Sequence, residues 1–156
     1  MRRIASAVLA SATLSACVTT GGDYPRIRYA RAAEAGPVAM QLAGRPTSEQ
    51  MQDAESRWGH AIADAYACDI NGLAVSEAGM IGALELAAMS SASRGRQDAF
   101  DGVLGFMSQL GRYGATGATR PDEARCRRLT AWVGDVRHEG RALLLREAED
   151  RLLPPN

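Results

Sequence analysis

Between Thr47 and Leu152, apolar side chains return every three or four residues, in four runs divided by glycine and proline. A period near 3.6 puts such positions on one side of an α-helix, so each run predicts a helix with one buried face. The first predicted helix starts at Thr47, with Pro46 ahead of it and Gln50 at the capping-box position, and runs to about Cys68. Met51, Ala54, Trp58, Ala61, Ile62 and Ala65 mark its core face. Asn71-Gly72 is expected to end it, with Gly72 taking the left-handed C-cap. The second is expected from Ser76 to about Ala92, on Met80, Ile81, Leu84, Ala87, Ala88 and Ser91. Glu85 lies within that apolar stretch and must find a partner or point outward. The third is expected from about Arg96 to Tyr113, its face formed by Phe100, Val103, Leu104, Met107 and Leu110, with Gly111, Gly114 and Gly117 breaking it. The fourth runs from about Pro121 to Leu152 on Cys126, Leu129, Val133, Val136, Gly140 and Leu143, widened by Trp132 and Leu144. Pro121 suits N1, Asp122 and Glu123 suit the positive end of the helix dipole, and Pro154-Pro155 stops the run.

No stretch alternates apolar and polar residues for long, and no hairpin turn joins two β-rich runs. The fold class is therefore expected to be all-α, a small bundle of about four antiparallel helices with short links. Gly79, Gly82, Gly102, Gly105, Gly134 and Gly140 fall inside predicted helices, where each costs about 1 kcal/mol relative to Ala at an exposed site. Either helices touch closely there, or the second and third helices are shorter or broken.

The N-terminus has a different character. Met1-Arg2-Arg3 is followed by Ile4 to Ala16 without a charge. That run is too short to span a bilayer, which takes about 20 apolar residues. Positive charge, apolar run and small residues, in that order, make a secretory signal. Its end, Leu14-Ser15-Ala16-Cys17, resembles the lipobox of bacterial lipoproteins. The resemblance covers the first 17 residues and implies that the Cys17 thiol carries diacylglycerol through a thioether, with cleavage before Cys17 and acylation of the new amine, often by palmitate. Two or more acyl chains anchor stably, since each buried methylene contributes about 0.8 kcal/mol. Val18 stands where an Asp favours inner-membrane retention in Gram-negative lipoproteins, so the resemblance leans toward the outer membrane, facing the periplasm.

The organisation expected is a signal peptide over residues 1–16, lipidated Cys17 with a flexible tether over 17–45, and a helical domain over 46–156. As coil, a tether of about 28 residues has ends roughly 30 Å apart. Arg26, Arg28 and Arg31 suit either contact with anionic head groups or plain solvation. Tyr24 to Tyr29 could lie on the folded body instead, and Arg31 to Ala35 suits a helical turn or two.

Removal of residues 1–16 leaves 140 of the 156, a length for one domain. The mature side chains comprise 18 acidic and 16 basic residues, a balance that does not point to nucleic acid. Every basic residue is Arg. Cys68 and Cys126 remain in the mature chain, and export to an oxidising compartment reads the pair as a disulfide. It would close a loop of about 59 residues, for which chain entropy gives roughly 4 kcal/mol. The alternative is two buried thiols acting as small hydrophobes.

Chemistry-bearing patterns are sparse. His60 and Asp64 share a helix face, and His138 and Glu139 diverge. Zinc takes three or four ligands, so no metal or other cofactor is expected. There is no Gly-x-Ser-x-Gly elbow, phosphate loop or paired-carboxylate context, and no catalytic residue is assigned. Arg125, Arg127 and Arg128 read as a solvated, salt-bridged face, and Trp58 and Trp132 as core. The function expected is that of a non-enzymatic, membrane-anchored envelope lipoprotein, held by acyl chains on Cys17, that binds or assembles another envelope protein. A second expectation comes from Cys68-Asp69, Leu73-Ala74-Val75 and Cys126 before a final helix, which resemble the periplasmic acid-stress chaperone HdeA over about half the chain. The cysteine spacing here is longer, and the anchor departs from that family. The resemblance implies a holdase role. A small-ligand binder or enzyme is the third.

Overall fold

A computed structural model describes residues 24–94, 99–115 and 119–152, and their regular structure is entirely helical. Residues 1–23, where a signal and Cys17 are expected, and Arg96, Gly117 and Pro154-Pro155 lie outside the described residues. Two short helices, α1 (Tyr29–Ala35) and α2 (Pro37–Ala43), precede four long ones, α3 (Ser48–Ala67), α4 (Gly72–Arg94), α5 (Ala99–Ala115) and α6 (Glu123–Leu152).

Local chemistry sets most boundaries. Thr47 Oγ1 accepts the Gln50 N–H at 3.2 Å, while Gln50 Oε1 accepts the Thr47 N–H at 2.8 Å. This is the reciprocal box expected from the sequence. The far end differs from expectation. Asp69, at φ 56°, takes the left-handed turn, which Asp tolerates because its short polar side chain bonds locally. Asn71 then accepts the Ala74 N–H at 3.1 Å and Gly72 opens α4. Asn71-Gly72 therefore starts the next helix rather than ending the last, and α4 begins four residues before Ser76. At α6, Asp122 Oδ1 accepts the Arg125 N–H at 2.7 Å, so Asp122 is the N-cap and Pro121 stands outside it, not at N1.

The side-chain pairings give the topology. Tyr66 meets Ser76 and Trp58 packs against Gly82, so α3 and α4 run antiparallel. Gly59 lies by Gln109 and Gly102 by Met51, so α5 runs parallel to α3. Glu77 pairs with Arg137 and Ile81 packs on Gly140, so α6 runs parallel to α4. Successive long helices alternate in direction as expected. The arrangement, however, is an α3–α4 hairpin with α5 and α6 both packed against it and, among the described residues, no extensive contact between those two.

Trp58, Ile62, Val75, Ile81, Leu86 and Leu129 are fully buried. Trp58 and Trp132 lie with centroids 5.6 Å apart, both in the core as expected. Close helix approach explains part of the glycine content. A Cβ at Gly82 would stand 2.6 Å from Trp58, and one at Gly140 would stand 2.5 Å from Ile81. Gly102 and Gly105 are likewise occluded, by the Leu86 carbonyl and by Glu55, whereas Gly79 and Gly134 face open space.

Cys68 and Cys126 stand in disulfide geometry, Sγ–Sγ 2.06 Å and Cα–Cα 5.5 Å, joining the C-cap of α3 to the first turn of α6. This is the placement expected for the bridge.

Candidate functional site

The segment assigned to a tether as far as Arg45 is folded over much of its length. Tyr24 to Tyr29 lies across the bundle as a strap, and α1 docks on α4 and α6. Pro25 and Ile27 are buried. The Trp132 Nε1–H donates to the Pro25 carbonyl at 2.9 Å, and the Tyr24 ring lies 5.7 Å from that of Trp132. Residues 18–23 are all that separate Cys17 from this strap.

Glu85 holds the strap. Only 2% exposed, its carboxylate accepts the backbone N–H groups of Tyr29 at 2.8 Å and Ala30 at 2.7 Å. These are orphan donors at the start of α1, which has no side-chain cap of its own at Arg28. Burial pushes the Glu85 carboxyl above the ordinary carboxylate range, while the bonds from Ala30, Tyr29 and Arg28 and the Arg28 charge pull it down. Arg31–Glu139 at 3.0 Å and Arg146–Glu34 fasten α1 to α6. Beside the strap, a groove of about 400 Å³ is lined by Tyr24, Arg26, Arg28, Asp53, Arg57 and Glu85, among others. Its walls mix cations, carboxylates and rings, with no nucleophile paired to a base.

Among the described residues, α5 and α2 each leave large apolar side chains uncovered. In α5 the expected face is only partly turned inward: Leu110 packs against the core and Val103 is half-buried. Gly102 and Phe106 are buried, whereas Leu104 is 61% and Met107 56% exposed. Gly102 and Gly105 let α5 approach the hairpin closely, which leaves Leu104 and Met107 outside. A hollow of about 270 Å³ beside Leu104 is lined also by Met51, Glu55, Ser90, Gly102 and Gly105. In α2, Val38 and Leu42 are 72% and 81% exposed, one helical turn apart. Sequence periodicity did not reveal α2, a seven-residue helix inside what composition marks as a linker.

The remaining candidates are dispersed. His60 stacks on Tyr113, centroids 3.7 Å apart, with Nδ1 2.9 Å from the Ser56 carbonyl. Asp64 accepts instead from Arg125 at 2.5 Å. Arg127 pairs with Glu123 at 2.8 Å, and Arg120 with Asp69 at 3.0 Å. The Arg125 and Arg127 pairs make the salt-bridged face expected of that cluster. His138 is exposed and Glu139 is taken by Arg31. Among the described residues, no three His, Cys, Asp or Glu side chains converge as metal ligands. Helix α4 is long and apolar enough to cross a membrane, over Gly72–Ser93, but Val75, Ala78, Ile81 and Leu86 face the other helices, so its apolar character builds the core.

No protein-family model matches the chain, and comparison with curated proteins and with solved structures gives no match either.

Proposed function

We propose that this protein is a lipid-anchored lipoprotein of the bacterial envelope whose helical body is a module for binding or assembling another envelope protein. The observation that carries this reading is Leu14-Ser15-Ala16-Cys17 standing seven residues before a helical body closed by Cys68–Cys126. The resemblance supplies the anchor, and the bridge suits the oxidising compartment that export reaches. The outward face of α5 supports the binding role. Leu104 and Met107 are large, exposed and next to a hollow. Covering one such side chain is worth about 1.5–3 kcal/mol, enough for a modest anchor point at an interface.

Two measurements test it. The intact mass of protein extracted from membranes, with and without thiol reduction, is expected to match a chain starting at Cys17 plus acyl groups and to gain two hydrogens on reduction. An unmodified mass removes the anchor. Crosslinking in membranes is expected to capture an envelope protein that Leu104→Asp with Met107→Asp loses while the helical content stays unchanged. No capture above background, or capture unaffected by the paired substitution, overturns the role of this face.

A further inference from the structure

We propose that α2 is an interfacial contact: Val38 and Leu42 insert into the surface of the membrane that holds Cys17, and Arg26, Arg28 and Arg45 meet its anionic head groups. The inference rests on the anchoring proposed above and adds a lipid-binding surface to it.

Reach is the first argument. From Cys17 to Tyr24 the chain advances seven residues, and an extended chain covers at most roughly 25 Å over that length. The strap, α1 and α2 follow directly, so an anchored body cannot stand far from the bilayer. Along the chain, these elements are the first part of the body after the anchor.

The make-up of that face is the second. Helix α2, Pro-Val-Ala-Met-Gln-Leu-Ala, has no charge. It has no buried residue, and its extensive packing is with α1 alone. Met40 and Ala43 turn inward against the core, leaving Val38 and Leu42 on the outer side. Two exposed aliphatic groups one turn apart on an uncharged helix are unfavourable in water and favourable at the boundary between head groups and acyl chains. The surrounding charge suits anionic lipid. Arg26, Arg28 and Arg45 are exposed, and the Arg28 guanidinium donates to the Ala43 carbonyl at 2.8 Å, which fixes a cation at the end of α2. Arg31 is paired to Glu139 and is left out of this set. Attraction of such side chains to an anionic surface decays within a Debye length, so the short reach is what makes it effective.

The test uses the acylated protein carrying Leu42→Trp, reconstituted in phosphatidylethanolamine–phosphatidylglycerol vesicles. The unsubstituted protein supplies the background from buried Trp58 and Trp132. The substituted site is expected to show a blue-shifted emission and a loss of intensity with brominated acyl chains. Leu73→Trp serves as the control. Leu73 is exposed at the start of α4, about 20 Å along that helix from Glu85, and its emission is expected to stay water-like and unquenched. Water-like emission at position 42 in acylated protein overturns this inference while the anchor stands. A blue shift without bromine quenching assigns α2 to a second copy or a protein partner, and also overturns it. A mass without acyl groups on Cys17 removes the anchor and this inference together.

Discussion

The Glu85 carboxylate accepts the Ala30 N–H at 2.7 Å across 55 residues of sequence, so a carboxylate in the middle of α4 acts as the cap of α1. Removing it strands two buried donors, Ala30 N–H and Tyr29 N–H. An unsatisfied buried donor costs about 1–3 kcal/mol. Glu85→Ala is therefore expected to release the strap and α1 before the rest of the bundle. Amide exchange over residues 24–35 should accelerate markedly while the amides of α3 keep their protection. Uniform acceleration throughout would mean that Glu85 supports the core as a whole.

The same carboxyl predicts a pH dependence. Its folded value is raised above the ordinary 4.5 by burial, so the folded state binds this proton more tightly than the unfolded one. Its contribution to stability is complete below 4.5 and is lost as pH rises through the raised folded value. The urea-unfolding difference between the wild type and Glu85→Gln is expected to move in favour of the wild type as pH falls from neutral to 4. Movement toward the variant would show the hydrogen bonds outweighing burial. The direction also bears on an acid-opened holdase. With burial as the largest cause, acidification at Glu85 does not by itself lower the stability of the folded state, so this carboxyl does not supply an acid-driven opening.

Cys68–Cys126 closes a sequence separation of 58 residues. The loop-entropy model assigns a bridge of that span roughly 4 kcal/mol. Reduction, or Cys68→Ala with Cys126→Ala, is expected to lower the unfolding free energy by an amount of that order, with helical content in the native state little changed. Equal unfolding midpoints with and without reductant would place the stability of the α3–α6 junction in Arg125–Asp64 and the neighbouring packing instead.

How much of this was legible follows from the range of each interaction. Thr47 and Gln50 are three residues apart, so their capping box is a local pattern that the sequence displays directly. The four long helices and the bridge pairing were legible for similar reasons, since periodicity is local and, with Cys17 expected to carry lipid, two cysteines remain to form one intramolecular pair. The exposure of Leu104 and Met107 on α5 was not. Periodicity assigns the inner face to the larger residues, but the Leu86 carbonyl and Glu55 crowd Gly102 and Gly105, and only glycine permits that approach. The strap was hidden for another reason. Glu85 stood out as a lone charge in an apolar stretch, which signals a partner but does not say that it lies 55 residues away.

The glycines separate close packing from mere composition. Gly82 sits under the Trp58 ring and Gly140 under Ile81, both closer than a Cβ tolerates. Gly82→Ala and Gly140→Ala are expected to destabilise by about 1–3 kcal/mol, the usual cost of overpacking a well-filled core. Gly134 lies in α6 with an exposed position and nothing near a Cβ. There the substitution only improves helix propensity, so Gly134→Ala is expected to stabilise by up to about 1 kcal/mol. Thermal melts of the three variants should move in opposite directions, Gly134→Ala upward and the other two downward. A downward shift at Gly134 would point to a neighbour contact on that side of α6. Indifference at Gly82 and Gly140 would mean that α4 does not approach Trp58 and α6 as closely as the glycine contacts require.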